Sequence, residues 1–240
     1  MRYITIPQGV TNIGEAAFVD CANLEGIILP NTVTELKSNA FSNCSSLNAI
    51  VLPKTVTKIR SEAFSNCTSL QDLILPSSVD TLEGSAFMGC ASLEKIALPS
   101  SITTLGSNVF QNCIKLKEVT NSSATTSVPN SAFYSCKNLV SATIPSSVTT
   151  ITSSAFYNCT SLQSITIPSN VATIGASAFY GCQTLSSIHF LPATPPTVAN
   201  SNAFNSLPTN CIIYVPTGKL SAYTSATNYP SSLTYTYVEE

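Results

Sequence analysis

The sequence predicts an α/β repeat solenoid, with a parallel β-sheet along one face and short helical turns along the other. Three columns of identical residues carry this prediction. Phe18, Phe41, Phe64, Phe87, Phe110, Phe133, Phe156 and Phe179 recur every 23 residues, and Cys21 to Cys182 and Leu24 to Leu185 keep the same step. Self-similarity at a fixed short period decides the fold before any local reading does.

Each element of the unit follows from the stretch around Leu162. In Leu162-Gln163-Ser164-Ile165-Thr166-Ile167 the apolar residues alternate with polar ones, as a half-buried strand requires. Pro168 lacks the amide that a sheet ladder needs, so it ends the strand. Val171 and Ile174 turn inward again across the far side. Ser153 or Ser154 is then placed to cap a short helical turn carrying Ala155, Phe156 and Cys159, with Phe156 and Cys159 on one helical face. Helix-pair repeats need about 33 residues or more and leucine-rich repeats about 20–29, so the period favours a leucine-rich-repeat solenoid. A right-handed parallel β-helix also fits a turn of this length. The register requires Ile27, Ile50, Leu73, Ile96, Val119, Ala142, Ile165 and Ile188 to point into the core.

Composition narrows the function classes. Hydrophobic residues make up 44% of the 240 and charged residues only 9%, against about a quarter charged in soluble domains. The surface must therefore be mostly Ser, Thr and Asn. A net charge of −2 gives no electrostatic basis for binding nucleic acid or an anionic membrane. No apolar run approaches the roughly 20 residues that span a bilayer.

The unit L-x-x-I-x-[IL]-P-x-x-V-x-x-I-x-x-x-A-F-x-x-C resembles the BspA-like class of leucine-rich repeats over residues 1 to about 190. The stretch AFNSLPTNCIIYVPTGKLSAYTSA, from Ala203 to Ala226, resembles the closing segment of such proteins from gut bacteria and their phages. The resemblance implies a secreted or surface-exposed protein that adheres to host proteins or other cells, and it brings no catalytic residues.

The residues themselves offer little chemistry. Metal fingers need Cys or His pairs two to four residues apart, and none of the nine cysteines has so near a neighbour. The cysteines are read as a column of buried, reduced, small hydrophobes. His189 is the sole histidine, and the register puts it on the open face of the sheet beside Thr166, without a nucleophile it would activate. No Asp or Glu lies between Glu118 and Glu239. Asp72 and Glu118 share a column two rungs apart, roughly 10 Å, with Lys95 between them. Phosphate-binding loops are missing. Neither a catalytic, a cofactor nor a metal site is expected.

The open face is more informative. One of its columns runs through Ile28, Val51 and Ile74 before turning to Thr120, Thr143 and Thr166. The neighbouring column carries Asp72, Lys95 and Glu118 before turning to serine. An exposed aliphatic patch tends to mark a contact site, although β-branched residues also suit strands wherever they face. These six residues, Ile28, Val51, Ile74, Asp72, Lys95 and Glu118, are the candidate partner-binding site. From Asn138 to Pro216 no residue is charged, a surface able to hydrogen-bond a glycan or simply to ladder its hydroxyls.

One rung is irregular. Asn121, Ser122 and Thr125 replace the inward aliphatic, the proline and the valine, so a loosened coil or a bound water is expected there, as a notch or a tolerated imperfection. Residues 1–190 are read as an array of about eight coils and 191–240 as a connector and C-terminal cap. The connector is Leu191-Pro192-Ala193-Thr194-Pro195-Pro196, and a short helix is expected around Leu220-Ser221-Ala222-Tyr223. Met1 opens straight into a strand with neither signal peptide nor cap, which suggests a fragment, a processed chain or an edge covered by a partner. The sequence thus points to a non-catalytic module that binds a protein or glycan. A structural spacer is the alternative, and a glycan-processing enzyme a distant third.

Overall fold

A computed structural model of the chain describes residues 2–231 and 233–240; Met1 and Ser232 lie outside the described residues. The chain winds as a parallel β-solenoid. Front strands Tyr3–Thr5, Gly26–Ile28 and Ala49–Val51 open coils 1 to 3. Coil 4 begins at Asp72 and coil 5 at the strand Lys95–Leu98. Glu118–Asn121, Ser141–Ala142, Ser164–Ile167 and Ser187–Phe190 open coils 6 to 9. Ile212–Val215 and Thr236–Glu239 follow as two further rungs. The register is the one the columns require: Ile4 pairs with Ile27, Ile27 with Ile50, Val119 with Ile96 and Ile165 with Ile188. Seven of the eight predicted core residues are buried; Ala142 is half-buried.

The return segments also form a sheet. Two-residue strands from Asn12–Ile13 to Thr104–Leu105 pair in one parallel ladder, and Ser127–Val128 to Thr197–Val198 in a second. Short as they are, these strands bury Ile13, Leu36, Ile59, Leu82, Ile151 and Ile174 against the backs of the front strands.

The expected helical turns do not form. Each Ala-Phe-x-x-Cys segment is a pair of tight turns flanked by left-handed residues: Ser154 has φ 56° and Asn158 φ 55°, and the same two places are left-handed in coils 1 to 8. A residue in that region can neither act as the extended N-cap expected of Ser154 nor continue a right-handed helix. The arrangement instead aims alternate amides at the next coil. Ser154, Phe156 and Asn158 donate to the carbonyls of Ala176, Ala178 and Tyr180, whereas Tyr157 and Cys159 bond locally to Ser154 and Phe156. The turns therefore make a third inter-coil ladder, which a helix, satisfying its own amides, would not. Asn and Gly dominate the place before the cysteine because they tolerate a positive φ. At Gly181 (φ 73°) an added Cβ would also lie 2.3 Å from Asn158 Oδ1. Helix is confined, among the described residues, to the one-turn 3-10 segment Ser201–Phe204 and to Leu220–Thr224, where the sequence places it.

Inside, the phenylalanines stack face over face with centroids 5.2–5.7 Å apart, from Phe18 through Phe179 and on to Phe204. Each thiol from Cys44 to Cys182 donates to the carbonyl of the phenylalanine in the preceding coil, at 3.1 Å for Cys113 and Phe87. All nine cysteines are free. Burial pushes the Cys44 and Cys182 thiols up to about 12 and the ones between them further. Native protein should accordingly react with almost none of its cysteines, because the thiolate is the nucleophile. A thiol assay without reductant should count nine only after denaturation; a count of one or two would mean that the column is oxidised.

The irregular rung is satisfied by its own chain. Asn121 Oδ1 accepts the amide of Ser123 at 3.0 Å, and the Ser123 and Thr125 hydroxyls bond to each other at 2.9 Å. Its disturbance falls on the back, where the ladder breaks between Thr104–Leu105 and Ser127–Val128. Beyond residue 190 the strands, back ladder and phenylalanine stack continue. Tyr223, Tyr229 and Phe190 then cluster across the end of the core. The Tyr223 and Tyr229 hydroxyls donate to the carbonyls of Pro192 and Pro196, at 2.7 and 3.0 Å. At the other end Ile4, Ile6, Val10, Phe18 and Cys21 remain half-buried.

Candidate functional site

The front sheet turns one side chain of every pair outward, and Ile28, Val51 and Ile74 are 66, 82 and 86% exposed. Ile28 and Val51 sit opposite each other on paired strands. Ile74 is next in the column but lies outside a regular strand, because the front sheet is interrupted at this point. The column beside it holds the three charges in register: Asp72 faces Lys95, and Lys95 faces Glu118. Lys95 Nζ lies 3.9 Å from Glu118 Oε2, with both side chains largely in water, so this pair contributes little to stability. Asp72 has no ion-pair partner among the described residues. The structure thus brings the six candidate residues together on one face over coils 2 to 6.

Two neighbouring crevices open on this face. One, of 490 Å³, lies between coils 3 and 4 and is lined by Ile50, Val51, Leu52, Lys54, Asp72, Ile74 and Pro76. The other, of 410 Å³, lies between Asp72, Ile74, Lys95 and Glu118. Both are within the size range of ligand pockets. Sequence reading missed Lys54. The signal was present, since the place after the strand-ending proline is Gln8, Asn31, Ser77, Ser100, Ser146 or Ser169 elsewhere and a cation only here.

The back of the same coils is clamped by charge. Arg60 joins Glu35, in the coil before, to Glu83, in the coil after, with Nη1 2.5 Å from Glu83 Oε1. Ser61 adds its amide and hydroxyl to Glu83 Oε2, each at 3.1 Å. The hydrogen bond from Arg60 holds the Glu35 carboxyl below its usual range; at Glu83 partial burial acts the other way but is outweighed by Arg60 and Ser61.

His189 is where the register puts it, opposite Thr166 and Tyr214. Its ring stacks on Tyr214 at 4.3 Å, and Nδ1 lies 2.9 Å from Glu240 Oε1. That contact joins the front face to the last residue of the chain and engages no serine or cysteine. The stacked rings of Tyr134, Tyr157 and Tyr180, 4.7 and 4.9 Å apart, occupy the turn side and spend their faces on one another. Among the described residues no group of three His, Cys, Asp or Glu could hold a metal ion, and no helix is long and apolar enough to cross a membrane.

A parallel solenoid with a leucine column and an open strand face defines the leucine-rich-repeat class. The family model for the BspA type leucine rich repeat region matches residues 1–117 and 81–211 with six copies, and the chain belongs to that family. Among curated proteins none matches it. A leucine rich repeat protein of T. pallidum is similar in structure at 25% identity, covering 76% of this chain and 77% of that one, with a TM-score of 0.57. A leucine-rich repeat protein from Eubacterium ventriosum has 22% identity over 90% of this chain and 67% of its own, with a TM-score of 0.55. A leucine rich cell surface protein from Faecalibacterium prausnitzii has 24% identity over 100% of this chain and 88% of its own, with a TM-score of 0.53.

Proposed function

We propose that the chain is a non-catalytic binding module, secreted or displayed on a cell surface, that holds a protein partner on the open face of its front sheet. The observation that carries this reading is the exposed column Ile28, Val51 and Ile74 beside the charged column Asp72, Lys95 and Glu118. Apolar side chains standing in water next to mixed charge are what a specific interface buries and orients. The description of the F. prausnitzii protein as a cell surface protein accords with the location. In this reading residues 1–190 are the array, and residues 191–240 are the connector and cap that close its core with tyrosines. A uniformly hydroxylated half, from Ser141 to Ser187, is the part that a glycan would use.

The test is a binding panel of immobilised matrix proteins and glycans, followed by Val51→Lys on every positive. A lysine at Val51 is solvated in the free protein but stranded in an apolar interface, at a cost of about 1–3 kcal/mol. Affinity should fall about 5- to 150-fold, while stability changes by less than about 0.5 kcal/mol. A panel without positives, or positives indifferent to Val51→Lys, would favour the spacer that merely holds another domain away from a surface.

A further inference from the structure

The interruption in the front sheet has a specific form. Every other pair of successive coils from 1 to 9 keeps at least one front-face backbone hydrogen bond, such as Asn48 to Glu25, Glu94 to Gln71 and Gln163 to Val140. Among the described residues none joins 48–52 to 71–75. The back ladder of the same two coils is intact, Lys58 pairing with Thr81 and Ile59 with Leu82. The phenylalanine stack is undisturbed at 5.4 Å, and Arg60 clamps the back to Glu83. Coils 3 and 4 are therefore hinged shut behind and open in front.

We propose that this crevice is the docking slot for an extended peptide segment of the partner, in which one branched aliphatic side chain enters between Val51 and Ile74. The inference rests on the open-face reading above and specifies what that face holds. Three features select the occupant. The lining of Ile50, Val51, Leu52, Ile74 and Pro76 takes an aliphatic group. Those amides and carbonyls of 48–52 and 71–75 that face the opening, rather than the outer coils to which the Asn48 amide and the Gln71 carbonyl bond, require polar partners arranged as a peptide main chain arranges them, since an extended segment commonly completes an exposed strand edge. Asp72 and Lys54, both exposed and without ion-pair partners among the described residues, stand at opposite ends of the slot. Asp72 is at the position of Ala49, where the strand of coil 3 begins, and Lys54 is in the turn that follows that strand. The segment that fits carries a cation at one end, an aliphatic residue at its centre and an anion at the other end. A neutral glycan answers neither the charges nor the apolar lining.

The chain contains no tryptophan, so a capped heptapeptide bearing one tryptophan outside its central motif reports binding by its own fluorescence. Two such probes have leucine at the centre, one with lysine first and glutamate last, the other reversed. The protein should prefer one order at least tenfold, and the double variant Asp72→Lys with Lys54→Glu should prefer the other. Replacing the central leucine with serine should weaken the better probe at least tenfold. By hydrogen exchange, the Asp72 and Ile74 amides should exchange at least tenfold faster than those of Ser187 and His189, and the better probe should slow them. Equal protection of the two sets in the free protein would show that the slot is closed and overturn the inference. So would an order preference unchanged by charge reversal, or no binding of either probe. If a partner from the panel nevertheless remains sensitive to Val51→Lys, the open face still binds and only the peptide slot is wrong; if no positive responds to Val51→Lys, the open-face reading falls independently.

Discussion

Above about pH 9 the protein is expected to lose stability steeply, because its core is a column of thiols that cannot ionise in place. Cys67, Cys90, Cys113, Cys136, Cys159 and Cys182 are fully buried, and burial raises each well above the ordinary thiol range. Near neutral pH these thiols are protonated in both the folded and the unfolded chain, so they add no pH dependence. As pH rises through about 8.5–9 the unfolded chain releases protons that the folded chain retains, and stability falls with the difference in bound protons. Each thiol then removes about 1.4 kcal/mol per pH unit, and six together about 8 kcal/mol. A whole domain is stable by only about 5–15 kcal/mol, so unfolding should be complete within one to two pH units. Above pH 10 burial of Tyr223, Tyr229 and Tyr237 acts in the same direction. Urea titrations at pH 7.5, 9 and 10 measure this directly. Cys113→Ala should reduce the pH slope by about 1.4 kcal/mol per unit, whatever it does to stability at pH 7.5. A flat profile to pH 10.5 would mean that the thiols are accessible in the folded state.

Phe87→Ala should be the most damaging single truncation in the array. The ring is fully buried, with Phe64 stacked at 5.4 Å on one side and Phe110 at 5.6 Å on the other. Large-to-small changes at such sites cost about 3–5 kcal/mol. Coils in a solenoid depend mainly on their neighbours, so a cavity here also weakens coils 3 and 5. Phe18→Ala, at the half-buried end of the stack, should cost clearly less. Thermal or urea unfolding of the two variants compares them, and equal losses would show that the stack is not the continuous core described above.

How much of this was legible depends on whether a property repeats. A 23-residue column must meet itself on the next coil, so the strand register, the buried leucines, phenylalanines and cysteines, and the outward Ile28, Val51 and Ile74 all follow from spacing. The turn was misread because Ala155, Phe156 and Cys159 fit a helical face as well as they fit a double turn. The asparagines and glycines before each cysteine marked the left-handed position, but Ser154 and Glu62 at the other place carry no such signature. Asn121 appeared as a polar intruder in a core column, and its partner proved to be Ser123, two residues away.

The sequence by itself determined that the chain is a solenoid of 23-residue coils, which residues line its core, and which side chains leave one face of the front sheet, because a periodic column must meet itself on the next coil; the BspA type was legible from the resemblance of the repeat motif. Tertiary structure alone decided three things. It turned the return segments and turns into ladders, since inter-coil hydrogen bonds depend on backbone angles that side chains only bias. It brought the tyrosines of the tail over the last turn of the core. And it parted coils 3 and 4 in front while Arg60 and the phenylalanine stack held them together behind. That opening is a balance among bonds on three sides of the coil, and no single repeat contains all three.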